Sequence, residues 1–151
     1  MKKIIVFLLV SVMVLSLCGC SRRSYADDDM LESEFTDDDF CGDIKLEICS
    51  DVDSESQSVE LRFENFGKLG CSYDGGRRLE VKIGKSWYIV PDRSPAVEVS
   101  LLHLPSGCTD AGELTLSGHY GQLPRGQYRI VKKFCRSDGA VLIAAGRFSV
   151  K

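Results

Sequence analysis

The feature that most limits the fold is a two-residue alternation of apolar and polar side chains that begins at Ile44. It recurs over residues 44–48, 59–64 and 78–83, each with an apolar residue at every second position. Successive side chains of a β-strand point to opposite faces, so this alternation is typical of sheets with one buried and one solvated face. No stretch after Ile44 shows a sustained 3.6-residue period, which argues against a helical domain.

The rest of the chain extends the same pattern. Gly84-Lys85 and Ser137-Asp138-Gly139 are predicted hairpin turns. The 108 residues from Ile44 to Lys151 are enough for one domain with its own core. About eight short strands separated by turns predict an antiparallel sandwich or barrel. The further predicted strands are 87–90, 96–102, 113–116, 127–134 and 140–150.

A second motif lies in "GHYGQLPRGQYRIVKKF", residues 118–134. Pro124 restricts the chain as it enters a corner, Gly126 permits a turn, and Tyr128 begins the next strand. The pattern resembles the tyrosine corner of immunoglobulin-like sandwiches, in which the Tyr hydroxyl bonds back to upstream backbone. We therefore predict a structural role for Leu123, Pro124, Gly126 and Tyr128; the alternative is a surface Tyr on a strand.

The strand that follows this corner contains one residue out of place. Ile130 falls on its inward phase, while Arg129 and Lys133 fall on its outward phase. Lys132 also falls on the inward phase, which predicts that the strand bulges or leaves the core there. Trp87 is a candidate for filling the core.

The first twenty residues have the composition of a secretory signal. A short basic head, Met1-Lys2-Lys3, precedes an apolar run from Ile4 to Leu17 and the small residues 18–20. A membrane-spanning helix needs ~20 apolar residues, so this run is short for a permanent span.

The exit from that run, Leu17-Cys18-Gly19-Cys20, resembles the lipobox of bacterial lipoproteins. The resemblance implies a diacylglycerol on Cys20, which becomes the mature N-terminus, and an anchor on the extracytoplasmic face of the cell membrane. Modification of Cys18 would place the bulky Leu17 just before the cut. An ordinary cleaved signal is the other alternative.

Acidic residues dominate the segment after the signal. Residues 26–43 hold nine acids and no base, which predicts a flexible, solvated linker over residues 20–42. The triple aspartates lack the glycine and spaced glutamate of a calcium loop. From Ile44 onward the chain contains 13 acids and 15 Lys or Arg, so it is close to neutral. No basic stripe argues for nucleic-acid binding.

Cysteine spacing favours neither metal binding nor a definite disulfide. The chain contains no CxxC pattern, so no metal site is predicted. Five cysteines remain after the lipobox, an odd number that leaves at least one unpaired within the chain. They are Cys41, Cys49, Cys71, Cys108 and Cys135.

Three stretches resemble the bacterial Ig-like domain found behind lipoprotein signals in Firmicutes. They are "VELRFENFG" (59–67), "SYDGGRRLEVKIGKSWYIVP" (72–91) and "YGQLPRGQYRIVKKF" (120–134). The resemblance covers residues 43–151 and implies an all-β, immunoglobulin-like antiparallel sandwich of about seven or eight strands. The family carries no established catalytic residues, and the domain is also similar to bacterial intracellular proteinase-inhibitor domains.

Catalytic chemistry finds little support in the sequence. His103, Cys108 and Asp110 suggest a cysteine nucleophile, but proximity in a loop does not supply a base within ~3 Å. His119 is interpreted as a surface or hydrogen-bonding residue. We therefore predict neither catalytic residues nor a cofactor.

Two functions remain open from the sequence. The first is a tethered, non-catalytic binding module that recognises an extracellular protein or a cell-wall polymer. The alternative is a proteinase inhibitor that acts through exposed loops at 66–77 and 103–112.

Overall fold

The computed structural model describes residues 30–40, 42–50, 52, 57–94 and 100–151. Within these ranges the chain forms nine strands, a 3₁₀ turn at Asp37–Asp39 and a single-turn helix α1 at Leu116–Tyr120. The strands are β1 (Ile44–Ile48), β2 (Ser58–Asn65), β3 (Cys71–Tyr73), β4 (Arg78–Ile83), β5 (Ser86–Ile89), β6 (Leu102–Leu104), β7 (Thr109–Thr115), β8 (Gly126–Arg136) and β9 (Val141–Val150).

Two antiparallel sheets make up the domain, as the alternation predicted. The small sheet has the order β1-β2-β7, and the large sheet has the order β5-β4-β8-β3-β6 with β9 also paired to β8. β4 pairs with residues 128–131 of β8 and β3 pairs with residues 135–136. Residues 74–77 connect β3 to β4 and lie outside both ladders.

The core lies between the sheets and is built from the inward residues of both. Phe63, Tyr73 and Phe134 form an aromatic cluster with ring centroids 5.4–5.8 Å apart. β1 packs so closely on β9 that a Cβ at Gly146 would overlap the Leu46 side chain. Offset and edge-to-face aromatic contacts of this kind stabilise a core beyond simple area burial.

Several boundaries differ from the sequence prediction. β3 and α1 were not predicted, because three-residue strands and single-turn helices are too short to show a period. The predicted strand 96–102 falls largely on residues 95–99, which lie outside the described residues, and β6 begins at Leu102. The predicted strand 113–116 is the end of β7, and Leu116 already begins α1.

Residues 30–40 form an N-terminal strap against the large sheet, where a solvated linker was predicted. The Ser33 amide donates to the Trp87 carbonyl, and the Ile89 amide donates to the Leu31 carbonyl, both at 2.8 Å. These bonds add a short segment to the exposed edge of β5. The structure therefore differs from the predicted flexible linker over these residues, because Glu34 and Asp37 find basic partners on the sheet.

Residues 1–29 lie outside the described residues, and with them the predicted signal peptide and Cys20. In the part of the chain that the structure describes, no helix has the length and apolar character needed to span a bilayer.

Candidate interaction face

The outer face of the large sheet carries a band of basic side chains, here called the basic face. The strand registers place Glu80 opposite Arg129, and Arg129 opposite Arg147, on this face. Among the described strand positions that share it, Glu80 is the one acid. The basic residues of the face are Arg78, Lys82, Arg129, Lys133 and Arg147.

A buried ion pair lies at the centre of the basic face. Arg129 Nε donates to Glu80 Oε2 at 2.6 Å, and both side chains are 0% exposed. The other carboxylate oxygen, Oε1, accepts from Arg78 Nη2 at 2.7 Å and from Ser33 Oγ at 2.8 Å. A buried pair is tolerated when its remaining hydrogen-bonding sites are satisfied, and here strap and sheet satisfy them together.

The strap supplies the remaining partners of Arg129. Its Nη2 donates to the Phe35 carbonyl at 2.8 Å, and its Nη1 pairs with Asp37 Oδ1 at 3.1 Å. The same Asp37 oxygen pairs with Arg147 Nη2 at 2.6 Å. One strap carboxylate therefore bridges two cationic groups on neighbouring strands.

Aromatic rings cover the guanidinium groups of this face. Arg129 lies 4.4 Å from the Trp87 ring centroid and 4.8 Å from that of Phe40, and Arg78 lies 4.7 Å from that of Phe35. Cation–π contacts of this kind are worth more when water is excluded. Trp87 is buried, as a core candidate should be, but on this outer face and not in the cluster between the sheets.

Beyond the strap, the basic face opens into a groove of about 280 Å³. Among the described residues that line it, Lys82 and Arg147 are the two charged ones, and both are basic. The described residues that line it are Lys82, Trp87, Gln127, Tyr128, Arg147, Phe148 and Ser149.

On the inner face of β8, Lys132 is buried at 5% exposure. Its Nζ donates to the backbone carbonyls of Asp74 and Gly76, the latter at 3.0 Å, and lies 5.0 Å from the Tyr73 ring centroid. Desolvation by burial lowers the pKa of this ammonium to about 8.

The bulge predicted at Lys132 is absent from β8. The register with β9 is continuous from Gly126 to Cys135. The neighbouring strand adapts instead, because residues 74–77 leave the ladder and bring two carbonyls to the ammonium.

The four residues assigned a structural role lie together at the start of β8. Tyr128 is buried, its hydroxyl donates to the Pro124 carbonyl at 2.6 Å, and its ring stacks on Phe148. Leu123 is buried too, with its amide donating to Gln57 Oε1 at 2.6 Å. Gly126 is the first residue of β8.

A family model described as a bacterial Ig-like domain matches residues 43–145. The chain belongs to this family. Together with the two antiparallel sheets, the match confirms the predicted immunoglobulin-like sandwich and the predicted resemblance to a bacterial Ig-like domain. A comparison with curated proteins finds no match.

The residues suspected of nucleophilic chemistry are not hydrogen-bonded to one another in this Ig-like domain. Asp110 accepts from the Tyr73 hydroxyl, Cys108 is exposed, and the His103 ring lies beside Gly70. Burial and the bond to Asp110 raise the pKa of Tyr73. Within the described ranges, no group of three His, Cys, Asp or Glu side chains is placed to hold a metal ion.

His119 makes hydrogen-bonding contacts at the end of α1. Its Nδ1 lies 3.4 Å from Asp92 Oδ1, and its Nε2 contacts Arg77 Nη2. The exposed Cys49, Cys108 and Cys135 are free thiols, whereas Cys41 lies outside the described residues.

Sequence reasoning missed a densely bonded site of the Ig-like domain, the Glu80–Arg129 pair. Its signal is present: Glu80 stands between two bases on the outward phase of β4, and Arg129 lies on the outward phase of β8. An acidic segment with aromatic residues precedes the domain, and it complements this excess of outward arginine. Charge complementarity between distant segments, which alternation within one strand does not report, would have pointed to the strap.

Proposed function

We propose that this Ig-like domain is a non-catalytic interaction module held at the extracytoplasmic face of the cell membrane by a lipid on Cys20. The observation that carries the proposal is the family match over residues 43–145, which supports binding rather than catalysis. The lipobox-like sequence at residues 17–20 supports the anchor. The partner is an extracellular protein or a cell-wall polymer.

The docked strap limits the reach of such an anchor. With residues 30–40 bonded to the sheet, only residues 21–29 separate Cys20 from the strap. Ten residue steps span at most ~35 Å, even when the chain is fully extended. The proposed anchor therefore holds the β5 edge of the domain within about one domain diameter of the bilayer surface.

Metabolic labelling with an alkyne fatty acid tests the anchor. We expect the wild type and Cys18→Ala to incorporate the label and to fractionate with membranes, and Cys20→Ala to do neither. Cys18→Ala is the matched control, since it removes a thiol two residues away. Label retained by Cys20→Ala would contradict the assignment.

Cross-linking in the intact envelope, followed by recovery of the lipidated protein, tests the interaction role. We expect a discrete cross-linked species that depends on surface residues of the domain. A mature protein that is recovered only uncross-linked, at increasing cross-linker concentration, would count against an interaction module.

A rigid loop favours proteinase inhibition as a second candidate function. Parts of the predicted inhibitory loops are strands β3, β6 and β7, so the loop portions shrink to residues 66–70, 74–77 and 105–108. Within the first, Phe66 is 58% and Leu69 is 41% exposed. These side chains are presented to solvent on the tip of the sandwich.

Asn65 holds this loop from below. It is 1% exposed, its Nδ2 donates to the Leu69 carbonyl at 2.9 Å, and its Oδ1 accepts from the Gly67 amide at 2.9 Å. A loop fixed in this way loses little conformational entropy when it enters a protease cleft. Assays against a panel of extracellular proteases test the idea, and no inhibition at micromolar concentration removes it.

A further inference from the structure

The groove beyond the strap carries two positive charges, and only that of Arg147 is paired with a carboxylate among the described residues. Among the described residues, Lys82 forms no ion pair, and its Nζ lies 5.6 Å from the Trp87 ring centroid. Arg147 has a 55% exposed side chain, and its carboxylate partner is Asp37 of the strap. Within the described ranges, no acidic side chain lines the groove.

Three further bases gather at the same end of the sandwich. Lys85 is in the turn after β4, Arg125 immediately precedes β8, and Lys151 follows β9. Pairing of Gly126 with Val150, and of Val81 with Tyr128, brings these chain segments to one end of the sheet. All three residues are exposed.

The strap shows what kind of molecule this face accepts. It is a linear acidic chain that runs from the β5 edge across β4, β8 and β9, and two of its carboxylates, those of Glu34 and Asp37, pair with arginines beneath. Asp37 reaches Arg147, which also lines the groove. The groove therefore continues, on the same strands, a surface already occupied by a negatively charged chain.

We propose that this groove binds a linear polyanion whose repeating unit carries a phosphate or a carboxylate. Lys82 and Arg147 hold the negative groups, and Gln127 and Ser149 offer hydrogen bonds to the intervening hydroxyls. The recessed shape beside Trp87 favours a chain over a flat membrane surface. The inference rests on the proposed interaction function but not on the lipid anchor.

Trp87 provides the readout, because it is the single tryptophan of the chain and lines the groove. The full chain in nonionic micelles is titrated with poly(glycerol phosphate), with polygalacturonate and with neutral dextran. We expect saturable changes in Trp87 emission with the polyanions, which weaken steeply as salt rises, and none with dextran. The polyanion that binds with the higher affinity identifies phosphate or carboxylate as the recognised group.

Variants test whether the groove is the site. We expect Lys82→Gln to weaken binding about fivefold, the factor for losing roughly 1 kcal/mol. Ser149→Glu, which adds a negative charge to the groove, should abolish binding. Matched controls on the small sheet are Lys45→Gln and Thr109→Glu, which should bind like the wild type. Unfolding midpoints of all four establish that each is folded.

Two outcomes overturn the proposal. One is equal binding by Lys82→Gln and Lys45→Gln, or by Ser149→Glu and Thr109→Glu. The other is a saturable Trp87 response to phosphatidylglycerol doped into the micelles with none to either polymer, which would assign the patch to lipid headgroups. Either result leaves the labelling and cross-linking experiments intact, so failure here is distinguishable from failure of the proposed function.

Discussion

Two cations, three positions apart on β8, are buried on opposite faces of the large sheet. Arg129 faces outward and is 0% exposed; Lys132 faces inward and is 5% exposed. Arg129 has carboxylate partners in Glu80 and Asp37, whereas the hydrogen bonds of the Lys132 ammonium go to the carbonyls of Asp74 and Gly76. Burial lowers the pKa of the Lys132 ammonium to about 8.

The difference shows that the partner, not the depth, decides how a buried charge affects stability. A carboxylate neutralises the guanidinium, so the pair is stable while both members are present. Carbonyl dipoles satisfy hydrogen bonds but do not cancel charge, so the Lys132 ammonium keeps much of its desolvation penalty. Each site also depends on an irregular segment, the strap for Arg129 and residues 74–77 for Lys132.

Removing Arg129 should give the largest loss of stability. We expect Arg129→Met to lower the free energy of unfolding by about 3–5 kcal/mol, because it leaves the buried Glu80 carboxylate without its closest partner. Urea unfolding monitored by Trp87 fluorescence measures the loss.

The double variant Glu80→Leu/Arg129→Met sharpens this first test. Replacing a whole buried pair with apolar side chains is often close to neutral, so we expect it to recover much of the loss. A double variant as unstable as the sum of the two single changes would contradict the view that the pair acts as a unit.

The Lys132 ammonium should make stability depend on pH. Its pKa in the folded state lies below the usual value near 10.5, so the unfolded chain binds more protons between pH 8 and 10. Stability therefore rises with pH through this window, by up to about 3 kcal/mol. Below pH 8 both states are protonated, and the full penalty is present. Urea midpoints at pH 7 to 9.5 measure the rise.

Lys132→Met is the control for the pH effect. It removes the titrating group, so its midpoint should change less with pH than that of the wild type. The comparison stops below pH 10, because burial raises the pKa of Tyr120 to about 12 and stability should fall where unfolded tyrosine ionises. Equal pH slopes in both proteins would exclude Lys132 as the cause.

A smaller effect is expected from the strap carboxylate. Asp37→Asn removes the charge that bridges Arg129 and Arg147, but the Asp37 side chain is 48% exposed and solvent screens it. We expect a loss of about 1 kcal/mol in unfolding free energy that diminishes in high salt. Asp38→Asn is the control in the same turn, since Asp38 forms no ion pair among the described residues. Equal losses in the two variants would contradict a specific role for Asp37.

Alternation predicted the direction of these side chains well and their surroundings poorly. Arg129 was placed on the outward phase of its strand and Lys132 on the inward phase, and both directions are correct. The prediction equated an outward side chain with an exposed one. This is wrong for Arg129, because a segment about ninety residues earlier in the chain covers its side chain. The prediction also equated an inward position with an apolar environment. This is wrong for Lys132, because the carbonyls of Asp74 and Gly76 accept hydrogen bonds from its ammonium. Pattern within one strand carries no information about either covering segment.

The smallest effect is expected on the outer face of the small sheet, where Lys45 and Glu47 form an exposed ion pair. The hydrogen bond between them raises the pKa of Lys45 and lowers that of Glu47, so each favours the charged form of the other. Their side chains are 53% and 41% exposed, and two long side chains must be ordered to make the contact. Screening and lost side-chain entropy offset the attraction, so Lys45→Gln should leave the urea midpoint unchanged at any salt concentration. A salt-sensitive loss as large as that of Asp37→Asn would show that coverage by the strap does not explain why ion pairs on the two outer faces contribute differently to stability.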